Sequence, residues 1–263
     1  MPRVSAEVKH VLRASRTLPQ PVAGDQIDVE ARGDRYGNQY VMNMTPTKHG
    51  LADEGSYFVL TNTTPGTGIA FFNEARSSYD AAKAIFMIKN DYQPGPTGKR
   101  MYFDYIRLIQ ASVLPAGTIT TMNMSVHVDT VNRRSSGGQN LPNVPVNVNA
   151  DDTVTQSQAK IWVPNNDVIT VVAPTSTGRV VSRPHLATSQ VVAGDEYIVQ
   201  FGPGDMSGFQ GLTAARATAT ARIIGHASPV IIGPQQYMYI FMWIGGMTSS
   251  APTYEFELTW WER

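Results

Sequence analysis

Two successive segments near the C-terminus alternate apolar and polar positions with a period of two. Tyr254, Phe256, Leu258 and Trp260 fall on one side of an extended strand, and Glu255, Glu257 and Thr259 fall on the other. That pattern predicts a half-buried antiparallel strand. Just upstream, Tyr237, Tyr239, Phe241 and Trp243 line one face while Met238, Ile240, Met242 and Ile244 line the other. A strand that is apolar on both faces is expected to be covered on both sides. The final strand is expected to use the end of the chain to complete a sheet.

The same reading gives strands over residues 82–89, 100–111, 118–131, 144–149, 158–163, 167–173, 180–185, 196–202, 218–226, 236–244 and 254–261. Turn chemistry separates them, as in Pro94-Gly95-Pro96, Pro115-Ala116-Gly117, Ser136-Gly137-Gly138, Ala193-Gly194-Asp195 and Gly233-Pro234. Closely spaced strands with almost no helix between them predict an all-β chain, an antiparallel β-sandwich of jelly-roll type.

Residues 67–263 are expected to form this body and residues 1–66 an extended N-terminal arm, rich in Gly, Pro, Asn, Asp and Thr, with short extended pieces at 39–44 and 56–61. The arm is expected to lie along the body or a neighbouring subunit; ordinary edge strands and loops of one domain fit the same composition. Val8, Val11 and Leu12 share a face if residues 5–15 are helical, although a helix this short is not stable alone. Residues 207–217 are the one helical candidate inside the body, too short for a crossover between parallel strands.

Charge narrows the partners. Lys plus Arg and Asp plus Glu are 21 each among 263 residues, and this neutral balance argues against a nucleic-acid partner, which would favour a basic patch. Sparse charge also suggests that much of the surface meets other protein. Cysteine is absent, which removes disulfides and thiolate metal sites. The first 20 residues lack the apolar centre of a secretory signal, and no apolar run approaches the roughly 18 residues of a membrane span, so the chain is expected to stay soluble until it assembles.

Little in the sequence points to catalysis. His10, His49, His127, His185 and His226 are scattered singly, without the paired spacing that seats a metal. Glu255 and Glu257 share one face of a strand and imitate a glycosidase pair, but outward solvated charge is the simpler account. Asp151-Asp152 lacks the further oxygens of a calcium loop, and Arg32-Gly33-Asp34 is an isolated tripeptide at a turn. Gly202-Pro203-Gly204 lacks the strand-to-helix context of a phosphate loop, and Pro203 removes a donor. No catalytic residue, metal, cofactor, small-molecule substrate or membrane is expected, and the chain is read as a non-enzyme.

The tryptophans Trp162, Trp243, Trp260 and Trp261 carry what possibility remains. Trp260 and Trp261 are adjacent and point to opposite sides of their strand, so one enters the core and the other reaches a surface as an anchor for a partner or a sugar ring.

Several stretches together carry a resemblance. They are Leu60-Thr-Asn-Thr-Thr-Pro-Gly-Thr-Gly-Ile-Ala70, Arg100-Met-Tyr-Phe-Asp-Tyr-Ile-Arg-Leu-Ile109, the turn Asn132-Arg-Arg-Ser-Ser-Gly-Gly138 followed by Pro145-Val-Asn-Val-Asn149, and Val192-Ala-Gly-Asp-Glu-Tyr197. From about residue 55 onward the chain resembles structural proteins of tailed bacteriophages, among them jelly-roll cement or decoration proteins of the capsid exterior.

The resemblance implies a virion protein made in the host cytoplasm, commonly a homotrimer, with the major capsid protein as partner and no catalytic residues. The expected interface residues are Val8, Val11, Leu12, Tyr36, Tyr40, Trp260 and Trp261. A receptor- or glycan-binding module of a tail or fibre, using the 132–140 loop and Trp261, is the alternative. A glycoside-active enzyme would need a cleft with two facing carboxylates.

Overall fold

The computed structural model describes residues 11–13, 28–30, 47–62, 64–71, 75–112, 121–140, 145–151, 156–164, 168–172, 178–182, 185–187, 193–202, 222–248 and 252–263. Eight strands build two facing sheets: β1 (Tyr57–Thr61), β2 (Phe86–Asn90), β3 (Met101–Gln110), β4 (Thr121–Asp129), β5 (Arg179–Ser182), β6 (Glu196–Phe201), β7 (Tyr237–Gly245) and β8 (Thr253–Glu262). One sheet runs β1-β8-β3-β6 and the other β2-β7-β4-β5.

Further strands, some as long as these, extend both. Val146–Asn147 pairs with β1, Ala159–Val163 with β2, and Gln139–Asn140 with Ala159–Val163. His185–Ala187 continues along β4 beyond β5. Arg222–Ala227 pairs with β6 in parallel, in contrast to the antiparallel pairing of β6 with β3.

The alternation read in β7 and β8 is the alternation observed. Tyr254, Phe256, Leu258 and Trp260 point between the sheets, where Phe256 meets Phe86 of β2 edge-on at 5.1 Å. Met238, Ile240, Met242 and Ile244 enter the same core. Burying each such side chain stabilises the fold by about 1.5–3 kcal/mol. On the opposite face of β7, Tyr239 and Phe241 pack with Ala84, Met87, Ile169 and Val171 in a second cluster. Three short strands, Lys83–Ala84, Ile169–Val171 and Arg134–Ser136, pair into a sheet that supplies part of that cover.

Two expectations are corrected, and one element is new. Val11–Arg13 is extended and pairs with Asp28–Glu30, so this part of the expected 5–15 helix is a strand. Three apolar residues at helical spacing do not outweigh the cost of nucleating so short a helix when a partner strand satisfies the backbone. The boundary at residue 66 also moves, because β1 pairs with β8 from Tyr57↔Trp261 to Thr61↔Glu257 and belongs to the body. Before β1 lies a helix, Thr47–Asp53, that the sequence reading did not anticipate. It ends at Gly55 with φ +71°, where the Ser56 N–H donates to the Leu51 carbonyl at 3.0 Å and the Gly55 N–H to the Ala52 carbonyl at 2.9 Å. This is the Schellman pattern, which favours glycine at the left-handed position. The 207–217 helix candidate lies outside the described residues.

Candidate functional site: the outer face of the β1-β8-β3-β6 sheet

The pairing of β3 with β8 slips once. Thr259 opposes Tyr105 and Trp260 opposes Phe103, leaving Asp104 as the extra residue of a bulge. Before the slip Met101 and Phe103 face the core; after it Ile106, Leu108 and Gln110 do. A bulge re-aims a side chain. Asp104 accepts a hydrogen bond from the Tyr57 hydroxyl at 2.5 Å and pairs with Lys48 of the short helix at 2.7 Å. Lys48 also lies 5.7 Å from the centre of the Tyr105 ring, so the helix is tied to this end of the sheet by one charged contact and one cation–π contact.

Further along the face, Arg107 of β3 stands between carboxylates of both neighbours, 2.6 Å from Glu196 of β6 and 3.5 Å from Glu257 of β8. The Tyr105 hydroxyl donates to Glu257 as well. The hydrogen bond that Arg107 donates to Glu196 raises the Arg107 pKa above its ordinary value. Burial, then the bonds to Asp104 and Glu257, pushes the Tyr57 and Tyr105 phenols well above theirs. Beside Arg107 is a depression of about 230 Å³ with Thr61, Pro65, Ile109 and Glu255 in its walls. Arg107, Glu196 and Glu257 thus pair across three strands of this face.

Of the residues expected at an interface, the structure describes the side chains of Trp260 and Trp261. Trp260 is fully buried against Phe58 and Phe103, so it is the core member of the tryptophan pair and its place as a contact residue is withdrawn. Trp261 faces outward, half-buried, stacked parallel on Tyr102 at 5.6 Å. Val11 and Leu12 lie in the first short strand, and Val8, Tyr36 and Tyr40 lie outside the described residues. Glu257 is engaged by Arg107 and Tyr105 rather than freely solvated.

His127 is buried on the outer side of β4, sharing a hydrogen bond with Ser125 at 2.7 Å and packing on Phe241 at 4.7 Å. Among the described residues no group of three or more His, Asp and Glu stands close enough to hold a metal. Large apolar side chains reach solvent at Tyr79, Val131, Val172 and Val180, beside β4 and β7, and at Val146 and Val148 on the opposite sheet.

Sequence reasoning missed the bulge and its Asp104. The signal was present as a change of phase: apolar residues at 101 and 103 are followed by others at 106 and 108. No protein family, curated protein or solved structure matches the chain.

Proposed function

We propose that this chain is a virion structural protein, a cement or decoration protein that associates with itself as a trimer on the outside of a phage head and stabilises the shell. The observation that carries the reading is the strand order. With the flanking strands, Ala159–Val163 and Arg222–Ala227 among them, left out of the count, the eight central strands numbered along the chain fall as 1-8-3-6 and 2-7-4-5. A jelly roll, in which one long antiparallel ribbon wraps on itself, has its strands in this order, and that architecture is common in viral capsid domains, so the order supports the reading. The stretches that resemble phage structural proteins, the balanced charge and the exposed valines support the same reading.

In this role the protein works by area and multiplicity. Each copy contributes a rigid sandwich, and many modest contacts across neighbouring shell subunits add through avidity. Because β1 belongs to the body, the proposed arm comprises residues 1–46. The reading needs no cofactor, nucleic acid, membrane or catalytic group. The test is the solution mass by light scattering, followed by sedimentation with empty heads built from the major capsid protein of the same genome. A trimer that co-sediments supports the proposal, and a monomer that ignores the heads overturns it. A chain lacking residues 1–46 that still binds heads in full would remove the arm from the account.

The depression beside Arg107 and Glu255 favours a second reading, a glycan-binding module. Its walls offer charged groups, a hydroxyl and apolar surface to a sugar. A glycan array separates the two.

A further inference from the structure

Tyr254, Gln110 and Asp195 stand side by side at one end of the sandwich interior. Tyr254 of β8 is in register with Gln110, the last residue of β3. On the other side of Gln110, its N–H donates to the Asp195 carbonyl at 2.9 Å and its carbonyl accepts from the Gly194 N–H at 2.7 Å, which places Asp195 directly before β6. Strand parity sends all three side chains inward. Gln110 follows Ile106 and Leu108, Tyr254 precedes Phe256 and Leu258, and Asp195 precedes Tyr197 and Val199. Gln110 is 1% exposed and the other two are 0%. The Tyr197 hydroxyl, one step along, donates to Asp195 at 3.4 Å.

Two atoms in this cluster are buried without a hydrogen bond to protein, Gln110 Oε1 and the Tyr254 hydroxyl. Reversing the amide does not help. Gln110 Nε2 donates to the Ser112 carbonyl at 2.6 Å, and a flip would set Oε1 against that oxygen. Gln110 stands in register with both Tyr254 and Asp195, and the Tyr254 phenol lies near enough to Asp195 for that charge to help raise its pKa, which sets the two orphaned groups at the same end of the interior. Their demands are complementary. Gln110 Oε1 only accepts, while the phenol, kept protonated by its burial, has a hydrogen to give.

A water molecule meets both demands, donating to Gln110 and accepting from Tyr254, and it retains a second hydrogen for which the Asp195 carboxylate is the adjacent acceptor. We infer that Tyr254, Gln110 and Asp195 form a buried site for one structural water. It joins β8, β3 and the start of β6 from the inside, as the Glu257, Arg107 and Glu196 pairs join the same strands on the outer face. The inference is independent of the proposed role on a phage head.

The experiment is a high-resolution crystal structure of the full chain and of Tyr254→Phe, with water-to-protein NOEs recorded on both in solution. The variant removes one oxygen and keeps the ring stacked on Phe71 at 5.3 Å, so it should fold. The expected result is a spherical peak about 2.7–3.2 Å from both Gln110 Oε1 and the Tyr254 oxygen. It should be accompanied by a negative NOE from a long-lived water to the Tyr254 ring protons, and both signals should be lost or displaced in the variant. Direct bonding of the two groups to protein with no peak between them would overturn the inference. An anomalous signal at the site after exchange of sodium for rubidium would also overturn it, in favour of a cation. If only the NOEs can be recorded, their presence in the wild type and loss in the variant supports the site, and their absence in the wild type sinks it.

Discussion

The Tyr92 hydroxyl donates to Glu262 at 2.7 Å, inside the protein and across 170 residues of chain. Glu262 is 1% exposed and also accepts from Ser157 Oγ at 2.5 Å and Trp260 Nε1 at 3.0 Å. Its backbone N–H donates to the Ser56 carbonyl at 2.9 Å. One carboxylate thus joins the end of β8 to the segment after β2 and to the residues leading into Ala159–Val163, so it ties the two sheets together at one end. Glu262→Leu would strand three buried donors, each costing about 1–3 kcal/mol. The variant is expected to lose several kcal/mol in urea unfolding, and Glu262→Gln, which keeps one acceptor, less. A Leu variant as stable as the wild type would show that these bonds contribute nothing net.

The buried phenols make alkaline stability a second test. Burial raises the pKa of Tyr57, Tyr92, Tyr105 and Tyr254 well above the usual value and that of Tyr239 to about 12. A folded pKa above the unfolded one means that the folded state holds protons that the unfolded state releases. Stability is therefore complete below about pH 10 and falls as pH rises through the folded values, by about 1.4 kcal/mol per pH unit for each phenol held protonated. Urea midpoints measured from pH 8 upward should fall beyond pH 10, and Tyr239→Phe should fall less steeply. Equal slopes for the two proteins would exclude Tyr239 as a contributor.

These two networks also show what the sequence can and cannot disclose. The faces of β7 and β8 were legible because a side chain's side of a strand depends only on its own parity. The partners of Glu262 were not, because Tyr92 and Ser157 lie 170 and 105 residues away and nothing local marks either as a donor. The bulge at Asp104 was intermediate, written as a phase slip that a strict count from Met101 to Gln110 would find. Val11 was misread for the opposite reason. A short apolar spacing suits a helix locally, and pairing with Asp28–Glu30 overrides it.

Gly202 closes β6 at φ +61°, its N–H donating to the Ala227 carbonyl at 2.8 Å. A Cβ there would come within 2.6 Å of Cγ in the Pro229 ring, which cannot rotate away. Gly202→Ala is expected to cost about 1–2 kcal/mol from the left-handed backbone alone, and more from the contact. Gly50 gives the opposite sign. It lies within the Thr47–Asp53 helix, and an added Cβ would meet nothing within 4 Å. Gly50→Ala is expected to gain about 0.5–1 kcal/mol. Chemical unfolding of both variants checks the pair, and a destabilised Gly50→Ala would contradict this account of the helix.

Trp260 and Trp261 divide stability from assembly within two consecutive residues. Trp260 is enclosed by Phe58 at 6.1 Å and Phe103 at 6.4 Å with no exposure, so Trp260→Ala is expected to cost about 3–5 kcal/mol and to lower the yield of folded protein. Trp261 has one ring partner, Tyr102, and its loss removes about 0.5–1.5 kcal/mol of pairing beyond the buried area. Trp261→Ala should therefore fold. If the proposed trimer uses the outer face of the β1-β8-β3-β6 sheet, this variant should dissociate at concentrations where the wild type stays associated, as sedimentation equilibrium can measure. A Trp261→Ala protein that self-associates like the wild type would move the contact away from this face. The exposed Tyr79, Val131, Val172 and Val180 on the other sheet would be the next surface to change.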